Sequence, residues 1–282
     1  MRTSITILIL ALLCIIAFAW ETSLDLSYNL SLNNYSDNWT GGDASGITWT
    51  ANCNFLAQKA INDWLNTKNT AKCSFGHTHI QDNETKHWQK PIKSNDLIDI
   101  ENIERFTLGS FVDPFVSVRF LSQFLDASVT DNKRAANPIE ITESAGVARV
   151  FIKEEEKELI TRFGGAFKQN IDRDVLDTLG NKETISTNDG GLEMVTEYRT
   201  PLLNEAVKLE SKLSFYKALY YSEENGGDSW KSPDVNWDTY FTAKLSDVVS
   251  VKLNIQLLYD EEIDNTTRHK EIMSVGFIYS PF

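Results

Sequence analysis

The sequence predicts an all-β fold: a transmembrane, antiparallel, up-and-down β-barrel of about twelve strands, formed as one domain by residues 20 to 282. Three observations lead there. The N-terminus has the form of an export leader, apolar and polar residues alternate in segment after segment, and the connections between those segments alternate between long and short.

The leader comes first. Residues 1 to 19 carry Arg2, an apolar run from Ile5 to Phe18 and the small-residue pattern Ala17-Phe18-Ala19, which reads as a Sec signal peptide cleaved before Trp20. The run is about 14 residues long, short of the roughly 20 that a spanning helix needs. Leu13 precedes Cys14 and more apolar residues follow it, which does not suit lipidation at that cysteine. The composition, 41% hydrophobic and 24% charged, is that of a folded protein. A formal charge of −13, from 27 basic and 40 acidic residues, repels a phosphate backbone and excludes nucleic acid as a partner.

The strands follow in order. From Ser23 to Leu32, Leu24, Leu26, Tyr28, Leu30 and Leu32 occupy one face and Asp25, Ser27, Asn29 and Ser31 the other. The pattern returns at Trp49 to Ala57 and at Leu65 to Phe75, with Cys53 and Cys73 on the apolar faces, where register decides whether they bridge or stay free. Further strands are expected at Ile98 to Leu108, Val116 to Phe124, Ile141 to Ile152, Leu159 to Phe167, Leu192 to Tyr198, Val207 to Leu219, Trp237 to Leu245, Val249 to Tyr259 and Met273 to Tyr279. The sixth of these twelve needs a bulge between Ile141 and Ala148 to keep its phase.

Long polar connections near 33–46, 77–96, 126–138, 172–187, 222–235 and 260–268 alternate with short ones near 58–63, 109–114, 153–157, 200–205 and 246–248. A barrel in the bacterial outer membrane has this order, with short periplasmic turns and long extracellular loops. Its apolar face meets outer-membrane lipid and its polar face lines the interior. Trp49, Trp64, Phe115, Tyr220, Tyr221, Trp237 and Tyr259 fall near strand ends, where aromatic rings favour the membrane–water interface. The last strand, ending at Phe282, is similar to the C-terminal signal read by the barrel-insertion machinery, although Pro281 and the phase of Tyr279 depart from its usual form.

Trp20 through Phe55, with Asn38-Trp39-Thr40-Gly41-Gly42-Asp43 between the first two strands and Trp49 entering the second, resembles an uncharacterised family of bacterial outer-membrane β-barrels, the domain of unknown function 3078. The resemblance implies an outer-membrane barrel and supplies no activity and no catalytic residues. Gly41 and Gly42 allow a tight turn, while Trp39 is placed to anchor the loop at the interface or fold into the barrel mouth; an ordinary hairpin loop fits the segment equally.

Little in the chain points to catalysis. His77, His79 and His87 share one expected external loop, but no cysteine or carboxylate at a recognised spacing completes a metal site. No Gly-x-Ser-x-Gly elbow is present, and His269 and Ser274 fall on opposite phases, so an outer-membrane hydrolase is disfavoured. The acidic runs at Asp172-Arg173-Asp174 and Asp260-Glu261-Glu262 do not match a calcium loop. No cofactor is expected.

The inward phase is more informative. It is expected to carry Lys72, Arg105, Arg119, Arg149, Arg162, Lys168, Arg199, Lys208, Lys212, Lys244 and Lys252, against Asp25, Asp99, Glu101, Glu143, Glu193, Glu197, Glu210 and Asp238. Charges out of water must be paired or hydrated. The leading expectation is therefore a monomeric passive pore or narrow channel for small solutes, with a mild anion preference. The alternative is a closed structural or interaction barrel, packed with ion pairs and acting through its extracellular loops.

Overall fold

The computed structural model describes residues 20–35, 44–82, 84–128, 132–176, 181–222, 228–246 and 248–279. The expected leader, the Asn38 to Asp43 segment and Phe282 lie outside the described residues. Twelve long strands close into a barrel: β1 (Glu21–Asn33), β2 (Gly46–Asn62), β3 (Leu65–Ile80), β4 (Ile92–Phe106), β5 (Asp113–Ser122), β8 (Ile139–Lys153), β9 (Glu158–Leu176), β10 (Lys182–Leu202), β11 (Val207–Tyr221), β12 (Pro233–Lys244), β13 (Val249–Asp260) and β14 (Asp264–Tyr279). Two further short strands, β6 (Leu125–Asp126) and β7 (Arg134–Ala135), pair with each other inside the β5–β8 loop. Each barrel strand is antiparallel to its chain neighbours, and β14 closes on β1.

The alternating phase explains which face each side chain takes, because cross-strand partners share a face. Outward lie Leu26, Tyr28, Phe55, Ile100, Val116, Val118, Phe163, Trp237, Met273 and Val275, all exposed. Inward lie charged and hydroxyl side chains, among them the buried Glu101, Arg162 and Ser144. This distribution inverts that of a soluble β-protein and is what a barrel crossing lipid requires.

Two expected loops are largely strand. β9 and β10 run 19 and 21 residues, so most of 172–187 is paired ladder, and β14 begins at Asp264, inside the expected 260–268 loop. A lipid crossing needs only about 9–11 residues per strand. The extensions are polar hairpins held by backbone pairing, and apolar alternation therefore does not reveal them. The bulge expected between Ile141 and Ala148 is absent, the register there being unbroken; the shift falls instead between Val150 and Ile152 on the β9 side.

Phe115 is a second correction. It pairs with Arg105 and Gly146 on the inner face and is buried, with the Arg162 guanidinium 5.5 Å from its ring, so it is not an interfacial aromatic. The outer girdle near the long loops is instead built from Tyr28 stacked on Trp49 and from Phe75 packed against Trp49, His77 and Phe124. Near the short turns, Trp64 stacks on Phe106.

Candidate functional site

The barrel interior is the candidate site. A chain of ion pairs crosses it in the half nearer the short turns. Lys68 on β3 meets Glu197 on β10 at 2.6 Å, and Arg162 on β9 lies 3.3 Å from Glu197 and 2.7 Å from Glu101 on β4. Lys212 on β11 closes on the other oxygen of Glu101 at 2.9 Å. In the strand order, β3 and β10 stand five places apart, as do β4 and β11, so these bridges join opposite walls. Beside them Arg119 grips Asp99 through Nε at 2.8 Å and Nη2 at 2.9 Å, the bidentate fork that fixes a carboxylate in place. Arg162 and Glu101 are buried, and their mutual pairing offsets the desolvation cost.

Two open spaces flank this layer. Toward the short turns lies a cavity of about 360 Å3, and on the other side of the bridges lies one of about 30 Å3, room for a single water, lined by Lys72, Asp99, Arg119, Lys212 and Tyr240. Above it, the Lys72 and Lys252 ammonium groups lie 5.3 and 4.6 Å from the Tyr240 ring centre. Toward the long loops, Lys168 pairs with Asp234 at 3.2 Å and sits 3.8 Å over the ring of Tyr216.

Of the residues expected inside, Arg119, Arg162, Lys212, Asp99, Glu101 and Glu197 are brought into one cluster. Lys208 pairs with Glu210 at 2.9 Å, and Asp238 accepts from Asn254 at 2.6 Å. Glu193 is the register partner of Gly164 and Tyr216, Lys244 that of Ser250, and Asp25 that of Asn54, each on the polar phase. Arg105 and Arg199 lie at the short-turn end, 3.8 Å from Asp113 and 3.9 Å from Glu158.

Arg149 departs from the expected placement. It shares its phase with Val147 and Phe151, packs its guanidinium 3.5 Å from the Phe111 ring centre and donates to the Phe111 carbonyl, so it stands on the outer face. Its long stem lets the charge reach the interface from there. The strand keeps one phase from Ile141 through Arg149, because its bulge falls after Arg149 and not before Ala148, and Glu143, the register partner of the outward Val118, stands outside for the same reason. Lys68, Tyr216, Asp234 and Tyr240 belong to the interior and were absent from the expected set. Lys68 had the polar phase of β3 to reveal it, whereas the tyrosines read as apolar.

The other candidates take structural positions. His77 packs edge-on against Trp49 and Phe75 in the outer girdle, and no group of three metal-ligating side chains occurs among the described residues. His269 pairs with Leu257 on the outer face and Ser274 with Lys252 on the inner. Asp172 is engaged by Arg134 at 2.7 Å and Asn137 at 2.6 Å, while Asp260 and Asp264 accept from the backbones of Glu262 and Thr266 in the β13–β14 hairpin. Cys53 and Cys73 are direct register partners and both are free thiols.

The family model described as "Protein of unknown function (DUF3078)" matches residues 30–127, from the first strand into the β5–β8 loop, roughly a third of the chain. The match agrees with the resemblance carried by the N-terminal strands. No curated protein matches the chain. Among solved structures, the chain is similar to an outer-membrane channel from Pseudomonas putida F1, at 10% identity and a TM-score of 0.46, covering 92% of this chain and 95% of that one. It is also similar to the translocator domain of the autotransporter NalP from Neisseria meningitidis, at 9% identity and a TM-score of 0.36, covering 92% and 88%. The NanC porin likewise aligns at 10% identity and a TM-score of 0.36, covering 90% and 98%. These likenesses are loose, and the barrel assignment rests on the strand pairing itself.

Proposed function

We propose that the chain is an outer-membrane β-barrel whose lumen is sealed by the crossing ion pairs and which acts as a closed barrel, presenting its long loops outside the cell, with no catalytic step. The observation that carries this reading is the bridge sequence Lys68, Glu197, Arg162, Glu101, Lys212, which joins opposite walls and lies between cavities of about 360 and 30 Å3 on its two sides. Of the two expectations for the interior, the paired and packed one fits this geometry better than an open pore. Outer-membrane lipid is the surrounding partner of the apolar face, insertion proceeds through the C-terminal strand, and the barrel works as a monomer.

The test is electrical. Residues 20 to 282, refolded into a planar bilayer under a salt gradient, should insert without stepwise conductance. Removing both bridging carboxylates, Glu101→Ala with Glu197→Ala, leaves Lys68, Arg162 and Lys212 to repel one another and should produce anion-preferring steps. Steps of that kind from the unsubstituted protein would restore the pore reading and sink this one.

A further inference from the structure

We infer that the short-turn end of the barrel carries a binding site for a small organic anion, a carboxylate borne on an apolar or aromatic group. The cavity of about 360 Å3 below the ion-pair layer has the size of a small-molecule site. Apolar and cationic side chains alternate along its wall: the buried Ile103, Phe115 and Ala148 are the direct cross-strand partners of Lys68, Arg105 and Arg162.

The cations differ in how well they are satisfied. Lys68 and Arg162 are committed to Glu197 and Glu101 at hydrogen-bond distance. Arg105 is not. Its contact with the Asp113 carboxylate is 3.8 Å, longer than an N–H···O hydrogen bond. One position over, Arg199 stands 3.9 Å from Glu158, a lining residue, and its buried Nε has no hydrogen-bond partner. Arg105 therefore keeps guanidinium donors for a ligand in the cavity, and a planar carboxylate is the acceptor that matches their fork. The apolar side chains set between the cations then take the rest of such a molecule. The lining as a whole is cationic: Lys59, Lys68, Arg105, Lys153 and Arg162 stand against Glu21, Glu158 and Glu197, and Glu197 is held by Lys68 and Arg162, which favours an anion over a cation. Because the cavity lies on the short-turn side of the bridges, a ligand reaches it without crossing them. The inference therefore stands whether or not the lumen conducts.

Benzoate is a suitable probe. Titrated into the refolded chain in detergent and followed by calorimetry, it should bind saturably at one site, whereas benzylammonium should not. Arg105→Gln should weaken benzoate about tenfold or more, Arg105→Lys should fall between, and Arg149→Gln on the outer face should change nothing. An absence of saturable heat, equal binding of benzylammonium, or unchanged affinity in refolded Arg105→Gln would each overturn the site. Should Arg105→Gln not refold, benzyl alcohol decides. Binding equal to benzoate means the carboxylate is not recognised and the inference fails; binding at least tenfold weaker supports it.

Discussion

Glu101 is the residue on which the interior turns. It is 7% exposed and accepts from Arg162 and Lys212, which reach it from another part of the wall. Truncating one partner of a buried pair strands the other, so Glu101→Ala should cost roughly 3–5 kcal/mol in urea unfolding of the refolded protein. Adding Arg162→Ala should then cost less than the sum of the two single changes, because the charge stranded by the first is removed by the second. Strict additivity in that cycle would mean the pair is not coupled. Arg149 belongs to a different environment. Its guanidinium rests on Phe111 in the short β4–β5 turn, and Arg149→Ala should cost only about 1 kcal/mol, the scale of an exposed cation–π contact with its packing.

At the scale of elements, two features are set by close fit. β8 and β9 approach each other where Gly146 faces Gly164, and a Cβ built on Gly164 would lie 2.2 Å from the Ala145 carbonyl oxygen. Gly164→Ala should push the strands apart and cost about 1–3 kcal/mol, read as a lower folded fraction by heat-modifiable migration. Gly190, with nothing within 4 Å of its Cβ position, should accept alanine without loss. The second feature is the β5–β8 loop. Asp96 on β4 accepts from the Phe124 and Leu125 backbones, and Asp126 is held by Ser128, Arg134 and Asn137. Burial pushes the Asp126 carboxyl up, but hydrogen bonds from Ser128, Asn137 and Arg134 outweigh it and bring the pKa to about 2. That lies below the usual aspartate value of about 3.9. The anchor is therefore at full strength above about pH 4 and is lost as the pH falls through about 2. Pepsin should nick this loop far faster at pH 2 than at pH 4, and Asp126→Asn should remove the difference. Equal nicking of the unsubstituted protein at both pH values would mean Asp126 does not anchor it.

For the whole molecule, closure is the weak step. Among the described residues, β1 shares thirteen register pairs with β2 and four with β14, Leu26–Asn29 against Gly276–Tyr279. Local opening starts where pairing is shortest. Amides of this seam should exchange with solvent earlier than those of β9 and β10, which pair along nearly their whole length. At the seam itself, a Cβ on Gly276 would lie 2.0 Å from Asn29 Oδ1, so Gly276→Ala should lower the unfolding temperature, and it should do so without altering bilayer silence if the ion-pair layer alone seals the lumen.

The barrel was legible in the chain because a lipid-facing wall imposes period-two alternation on every strand, as Leu24 to Leu32 and Val249 to Tyr259 show. Strand number and loop order followed from the same constraint. Legibility stopped where that constraint stops: in the hairpins beyond the lipid, where β9 and β10 continue on backbone pairing alone, and at Arg149, where the bulge follows the residue instead of preceding it and leaves it on the outer face. The interior was legible only as a composition. The charges of Lys68, Glu101, Arg162, Glu197 and Lys212 are written in the sequence, but their partners lie 35 to 129 positions apart, and Lys68–Glu197 and Lys212–Glu101 join opposite walls. Only closure of the sheet sets those distances. Closure therefore decides that the interior charges meet one another across the lumen, and that two arginines at its short-turn end are left with their hydrogen-bonding capacity unspent.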